Sequence, residues 1–142
     1  MFSKEESKKL RQDFWIAFGK SYPRKWILYQ TKIKDFSFKF HFDVKQAMVS
    51  LDIEQQDLER RTKLWEKLIS LKSILVEHYV SNAIFENSCM LKNEKEISRI
   101  YVSKQDVSIH NKDTWRETME FLNNTMIEFE LFFLEYREVI TS

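Results

Sequence analysis

Two acids, Asp52 and Glu54, stand two residues apart in a stretch that alternates apolar and polar positions. On an extended strand both side chains leave the same face. Asp43 lies upstream, at the start of a hairpin loop, and Asp57 follows at the opening of a helix. An acid-x-acid pair with a further carboxylate nearby can hold a hard divalent cation, such as magnesium, through oxygen ligands. Metal-dependent nucleases of the restriction type place a lysine two residues after the second acid; here that position is Gln56. Asp43, Asp52 and Glu54 are therefore the catalytic candidates, and Asp52 and Glu54 the metal-ligand candidates. Magnesium is the only cofactor this reading needs. The competing reading is a solvated sheet face on which Lys39 sits diagonally from Asp52 and pairs with it, and the balance of expectation falls there.

Other chemistry has less support. His41 shares the polar face of the acid pair, but His78 and His110 are distant in sequence, and no close His pair has zinc-binding spacing. A single Cys, Cys89, excludes an internal disulfide framework and a multi-cysteine zinc site. It reads as a small packing residue, since no His or basic cluster adjoins it. A single Gly, Gly19, excludes glycine-rich phosphate loops and the G-x-S-x-G elbow of hydrolases.

A basic, aromatic segment lies at residues 22–34. Arg24, Lys25, Trp26 and Tyr29, with Lys32, Lys34 and Lys39, can stack bases and contact phosphates. The same pattern describes an aromatic core edge with snorkelling basic stems. The whole chain carries 23 basic and 22 acidic side chains, so its net charge of +1 supplies no global field toward nucleic acid or an anionic membrane.

The elements that must position these residues follow from periodicity. Ser3-Lys4-Glu5-Glu6 has the spacing of a capping box. Behind it Leu10, Phe14 and Phe18 recur every fourth residue, which predicts a helix over 4–18 closed by Gly19 as a left-handed cap. Pro23 then blocks continuation. Phe36, Phe38, Phe40 and Phe42 alternate with polar residues, as do Ala47, Val49, Leu51 and Ile53. Pairing Phe42 with Ala47 and Phe36 with Ile53, around the loop Asp43-Val44-Lys45-Gln46, puts every apolar residue on one face.

Residues 57–79 return to helical spacing through Leu64, Leu68, Leu71 and Leu75. Ile84-Phe85 and residues 97–102 read as a second hairpin, with Val107-Ser108-Ile109 as a short extension. Asn111 then caps a last helix whose apolar positions run from Trp115 to Ile140. The expected architecture is one α+β domain over residues 1–142, with an antiparallel sheet of two hairpins packed by three helices. The C-terminal helix is the long one. Neither a signal peptide nor a membrane span is legible, and with the lone cysteine this suggests a cytoplasmic protein without membrane contact.

Phe129, Phe132 and Phe133, together with Leu131 and Leu134, nearly surround that last helix with apolar surface. An excess of apolar faces predicts either deep burial or a partner. These three phenylalanines are the interaction anchors of the lead expectation, a protein partner or homodimer.

The runs Asp13-Phe14-Trp15-Ile16-Ala17-Phe18-Gly19-Lys20 and Trp26-Ile27-Leu28-Tyr29-Gln30-Thr31-Lys32-Ile33 are similar to segments of a known family. So are Ile97-Ser98-Arg99-Ile100-Tyr101 and Ile109-His110-Asn111-Lys112-Asp113-Thr114-Trp115. Together they resemble a bacterial and archaeal domain-of-unknown-function family, number 4268, over nearly the whole chain, in a short stand-alone form. Longer relatives place this domain after a restriction-nuclease-like domain, which implies a role around DNA or defence systems. The family pattern has Gly after Thr31, where this chain has Lys32. It carries no assigned chemistry, so no catalytic residue is transferred.

The resulting expectation is a small interaction or self-associating domain without catalysis of its own or any identified small-molecule substrate. The alternatives are a metal-dependent or degenerate nuclease relative and a nucleic-acid-binding module.

Overall fold

The computed structural model describes residues 2–142. The first helix, α1 (Lys4–Ser21), opens on the expected capping box: Ser3 Oγ accepts from the Glu6 N–H, and Glu6 Oε1 accepts from the Ser3 N–H. Strands β1 (Phe36–Phe42) and β2 (Gln46–Ile53) pair antiparallel in the register that the alternation dictates, with Phe42 opposite Ala47 and Phe36 opposite Ile53. Asp43 Oδ1 accepts from the N–H groups of Lys45 and Gln46 and shapes the turn.

Then come α2 (Leu58–Ser70), α3 (Lys72–His78), β3 (Ile84–Met90) and β4 (Glu96–Gln105). Asp57 caps α2 by accepting from the N–H groups of Glu59 and Arg60. A 3-10 turn (Lys112–Thr114), capped by Asn111, leads into the 27-residue α4 (Trp115–Thr141). The sheet is antiparallel throughout, in the order β1-β2-β4-β3. β2 and β4 are central; β1 and β3 are its edges.

All the helices bury apolar positions in one cluster with the apolar face of the sheet. α1 packs over β1 through Phe14 on Phe42 and Phe18 on Phe40. α4 crosses the same hairpin, with Phe133 against Phe36 and Phe38 and Phe129 against Phe38. α2 covers β3 through Trp65 on Phe85. Among the described residues no helix is long and apolar enough to cross a membrane.

Several boundaries differ from expectation. The stretch 57–79 is two helices, broken at Leu71 (φ −100°, ψ 3°), whose N–H turns back toward the Leu68 carbonyl. The break keeps Leu68, Leu71 and Leu75 all buried, so the apolar period runs through it. β3 and β4 are longer than their apolar residues, because polar positions also pair at a sheet edge and beside it. Val107 to Ile109 is not a strand. It is a loop whose Ile109 N–H bonds the Asp43 carbonyl and holds the β1–β2 turn.

Gly19 is not a left-handed cap. α1 continues through it to Ser21, and no glycine in the chain has positive φ. A Cβ built on Gly19 meets nothing within 4 Å. Glycine in an unstrained helix interior costs about 1 kcal/mol relative to alanine. Gly19→Ala is therefore expected to raise unfolding stability by roughly that amount, measured as a shift in the urea midpoint at constant slope. An unchanged or lower midpoint would show that the position is constrained in some other way.

Candidate functional site

The acid pair occupies the polar face of the sheet. Asp52 is fully buried, at 0% exposure, directly opposite Arg99 on β4. Arg99 grips it with both arms of the guanidinium: Nε donates to Oδ1 at 2.8 Å and Nη2 to Oδ2 at 2.9 Å. Lys39 Nζ lies 3.4 Å from Asp52 Oδ2 and donates to Glu54 Oε1 at 3.1 Å. The diagonal pair read from the register is therefore present, and Lys39 serves both acids.

Asp43 does not join them. It sits at the far end of the hairpin, with its carboxylate engaged by the turn N–H groups. Among the described residues no three His, Cys, Asp or Glu side chains group to hold a metal ion.

The electrostatics of this face are those of a structural network. Burial alone would raise the Asp52 pKa. The hydrogen bonds and charge of Arg99, followed by Lys39 and Ser50, outweigh it and hold the carboxyl below its ordinary value. His41, with Nε2 3.2 Å from Ser50 Oγ, is held below its ordinary value first by burial and then by the Arg99 charge. Burial, then a hydrogen bond to Glu86, pushes the Cys89 thiol up, away from thiolate character.

Two consequences can be measured. Removing one partner of a buried pair costs about 3 kcal/mol or more, because the other charge is left uncompensated. Asp52→Ala is expected to lose roughly that much in urea unfolding, and Asp52→Ala combined with Arg99→Met to regain part of it. A single-variant loss under about 1 kcal/mol would mean that the pair does not hold these strands.

The second consequence is a pH dependence. In the unfolded chain His and Asp take up protons near their ordinary values, about 6.5 and about 3.9. Both folded-state values are lower, so the unfolded state binds more protons in each window and stability falls as pH falls. The urea midpoint should drop below about pH 6.5 and again below about pH 4, with His41→Gln abolishing the first step only. A His41→Gln profile superimposable on wild type would remove His41 as its source.

The basic aromatic segment divides in two. Glu130 of α4, only 2% exposed, accepts from the Ile27 N–H at 2.7 Å and from Arg24 Nη2 at 3.2 Å. Arg24 lies over the Trp26 ring, which in turn packs on Phe18 and Phe40. Arg24 and Trp26 thus fasten the segment to the core. Lys25 and Tyr29 point outward, and Tyr29 is 76% exposed. Sequence reasoning did not single out Glu130, since an acid on an otherwise apolar helix stripe was the only trace of it.

Farther along, Thr31 is buried and its Oγ1 donates to the Phe36 carbonyl at 2.7 Å. Leu28, Lys32 and Asp35 all have positive φ; Lys32, at 64°, holds the left-handed conformation that glycine favours.

The expected interaction anchors are internal. Phe129, Phe132 and Phe133 are fully buried, against Phe36, Phe38 and Tyr79. The apolar side chains that α4 exposes are Leu131, Leu134 and Val139. The helix carries apolar residues round most of its circumference because it packs against the sheet, against α2 and against Tyr79, just beyond the end of α3.

The fastened segment shapes a groove that periodicity could not show. It measures about 390 Å³ and runs between Trp15 of α1, Leu28 and Tyr29 of the segment, and Phe38, Lys39 and Phe40 of edge strand β1. Trp15 also borders a second depression along α1, lined by Lys8, Arg11 and Ile16, the last 57% exposed. The two make one aromatic-apolar surface with a basic rim. Neither Lys8 nor Arg11 has an acidic partner within ion-pair distance among the described residues.

Fold and surface together define a small α+β domain with one helix-covered sheet face, one ion-paired face and an apolar groove at an edge. The chain belongs to the family described as a domain of unknown function (DUF4268), whose model matches residues 10–137. No curated protein and no solved structure matches it.

Proposed function

We propose that the chain is a protein-interaction domain, without catalysis of its own, that docks a partner in the groove beside β1. The observation that carries this reading is the surface joined at Trp15. It exposes Tyr29 and Ile16, lines a cleft with Leu28 and Phe40, and is rimmed on α1 by Lys8 and Arg11, which have no acidic partner among the described residues. Aromatic anchors in a concave, partly desolvated site are where binding energy concentrates. The segment that presents Tyr29 is held by buried hydrogen bonds, so docking meets a pre-formed surface and loses little ordering entropy. A homodimer built on Phe129, Phe132 and Phe133 has less support, because those rings are spent on the core.

A second reading draws on the same rim. Lys8, Arg11 and Lys25 beside Tyr29 and Trp15 suit a single nucleic-acid strand that stacks its bases. It would fit the DNA-associated setting implied by longer relatives.

Selection of a random peptide library on the immobilised chain separates the two. Enriched peptides should bind wild type and lose about tenfold or more in affinity on Tyr29→Ala and on Ile16→Glu, with melting temperatures unchanged. Failure to enrich, or equal binding to both variants, would overturn the docking reading. A fifteen-residue oligothymidylate that binds with steep salt dependence, weakened by Lys25→Ala and Arg11→Ala, would install the second.

A further inference from the structure

We infer that the partner enters as an extended, acidic strand added to the outer edge of β1. This rests on the groove being a docking surface and adds the backbone geometry and the chemistry of what fills it.

The hydrogen-bond directions of β1 carry the inference. In an antiparallel ladder, residues alternate between facing the partner strand and facing away. Phe38 donates its N–H outward to the Leu28 carbonyl at 3.0 Å, and the Phe36 carbonyl accepts from Thr31 Oγ1 on the same outer side. The Asp43 N–H bonds inward to the Gln46 carbonyl, so odd-numbered residues face β2. Phe40 therefore turns both its N–H and its C=O outward, and the Phe38 C=O points the same way. Among the described residues nothing hydrogen-bonds these three groups. The 28–36 segment covers the beginning of this edge and stops short of Phe40. An uncovered edge is a template for another strand.

The groove lies along that uncovered stretch. A strand paired with Phe38 to Phe40 would send alternate side chains to opposite faces. Those on the helix-covered face would lie beside Phe40 and Trp15, whose rings are 6.2 Å apart. Those on the other face would lie over Lys39, which Asp52 and Glu54 already share. The matching sequence is apolar at the positions that face Trp15 and Phe40 and carries acids where it passes Lys8 and Arg11. Lys8 and Arg11, next to Trp15 and without ion-pair partners, extend the positive field toward such a segment.

A second copy of this chain answers that rim less well, because its β1 edge, Phe36 to Phe42, carries no acid.

The test uses the full chain, isotopically labelled, with a capped peptide of four Glu-Val repeats as the probe. Its controls are the same peptide N-methylated at the residues that pair with β1, a Lys-Val counterpart, and oligothymidylate. Expected are binding of the Glu-Val peptide, amide exchange at Phe40 slowed about tenfold or more, no binding of the N-methylated or Lys-Val peptides, and weakening by Lys8→Glu with Arg11→Glu.

If the N-methylated peptide binds equally and Tyr29→Ala still weakens it, strand addition is wrong and the docking surface stands. The same holds if no Glu-Val binding is seen while library selection still yields Tyr29-dependent peptides. If selection also yields nothing, both readings fall. A dimer that itself protects the Phe40 amide would identify a second copy as the occupant and overturn the acidic-strand assignment, and oligothymidylate protecting it would do so in favour of nucleic acid.

Discussion

A single buried carboxylate organises the path of the chain from α1 to β1. Glu130 leaves α4 at a position 2% exposed and is satisfied by the Ile27 N–H and the Arg24 guanidinium. Left unpartnered, a charge at such depth would be strongly destabilising. The connection from α1 to β1 must therefore run where it can supply those donors. Once Ile27 is fixed, Leu28 turns through positive φ and lends its carbonyl to Phe38, and Tyr29 is thrown outward over the edge strand. Thr31 and the Arg137 guanidinium, which donates to the Thr31 carbonyl, secure the rest of the path. The groove is thus a by-product of how an irregular segment satisfies the polar needs of a helix.

The polar sheet face solves a different problem. Asp52 and Arg99 are cross-strand neighbours on the two central strands, and Lys39 comes from the edge. Their charges cancel locally, with Glu54 balancing the extra cation. Such a network fixes register, because a one-residue slip of β2 on β4 would send Asp52 to the apolar face. Both Asp52 oxygens face cations: Arg99 Nε and Nη2 donate to Oδ1 and Oδ2, and Lys39 lies near Oδ2. The same residue types that suggest metal chemistry in sequence here make cross-strand ion pairs.

Much of the fold was legible because it rests on period. The β1–β2 register, the Ser3 capping box, a helix opening at Asp57 and the long last helix all follow from spacing and turn chemistry that act over a few residues, whereas Asn111 caps the 3-10 turn before that helix instead of the helix itself. What spacing could not show lies where a local signal has two physical meanings. Gly19 after the last apolar residue of a helix reads as a cap, yet the helix simply tolerates it. The leucine stripe survives the break at Leu71, because one tightened turn leaves Leu75 on the buried side. Lys32 takes the left-handed conformation without glycine, since Thr31 and its hydrogen bonds dictate the path. For the site the asymmetry is sharper. Tyr29 and Lys39 were visible as residue types, but Trp15, Phe40 and Ile16 become one surface only through the tertiary docking of α1 on the edge strand.

That docking also explains the distribution of the twelve phenylalanines. Phe36, Phe38 and Phe42 are sealed under α1 and α4, whereas Phe40, on the same strand face, stays partly open between Trp15, Phe18 and Trp26. Phe40 is half-buried, and the two tryptophans beside it pack against the core as well. Aromatic rings keep their shape with few rotatable bonds, so a cluster of them at a rim remains a defined surface without a partner. The edge of β1 therefore combines a rigid apolar wall, unpaired backbone groups at Phe40 and a cationic border on α1. Each would be a liability by itself, since an open edge invites non-specific pairing. The 28–36 segment pairs with the beginning of the edge through the Leu28 carbonyl and Thr31 Oγ1, so the uncovered backbone is confined to a short stretch at Phe38 and Phe40. Shortening an open edge in this way limits indiscriminate pairing.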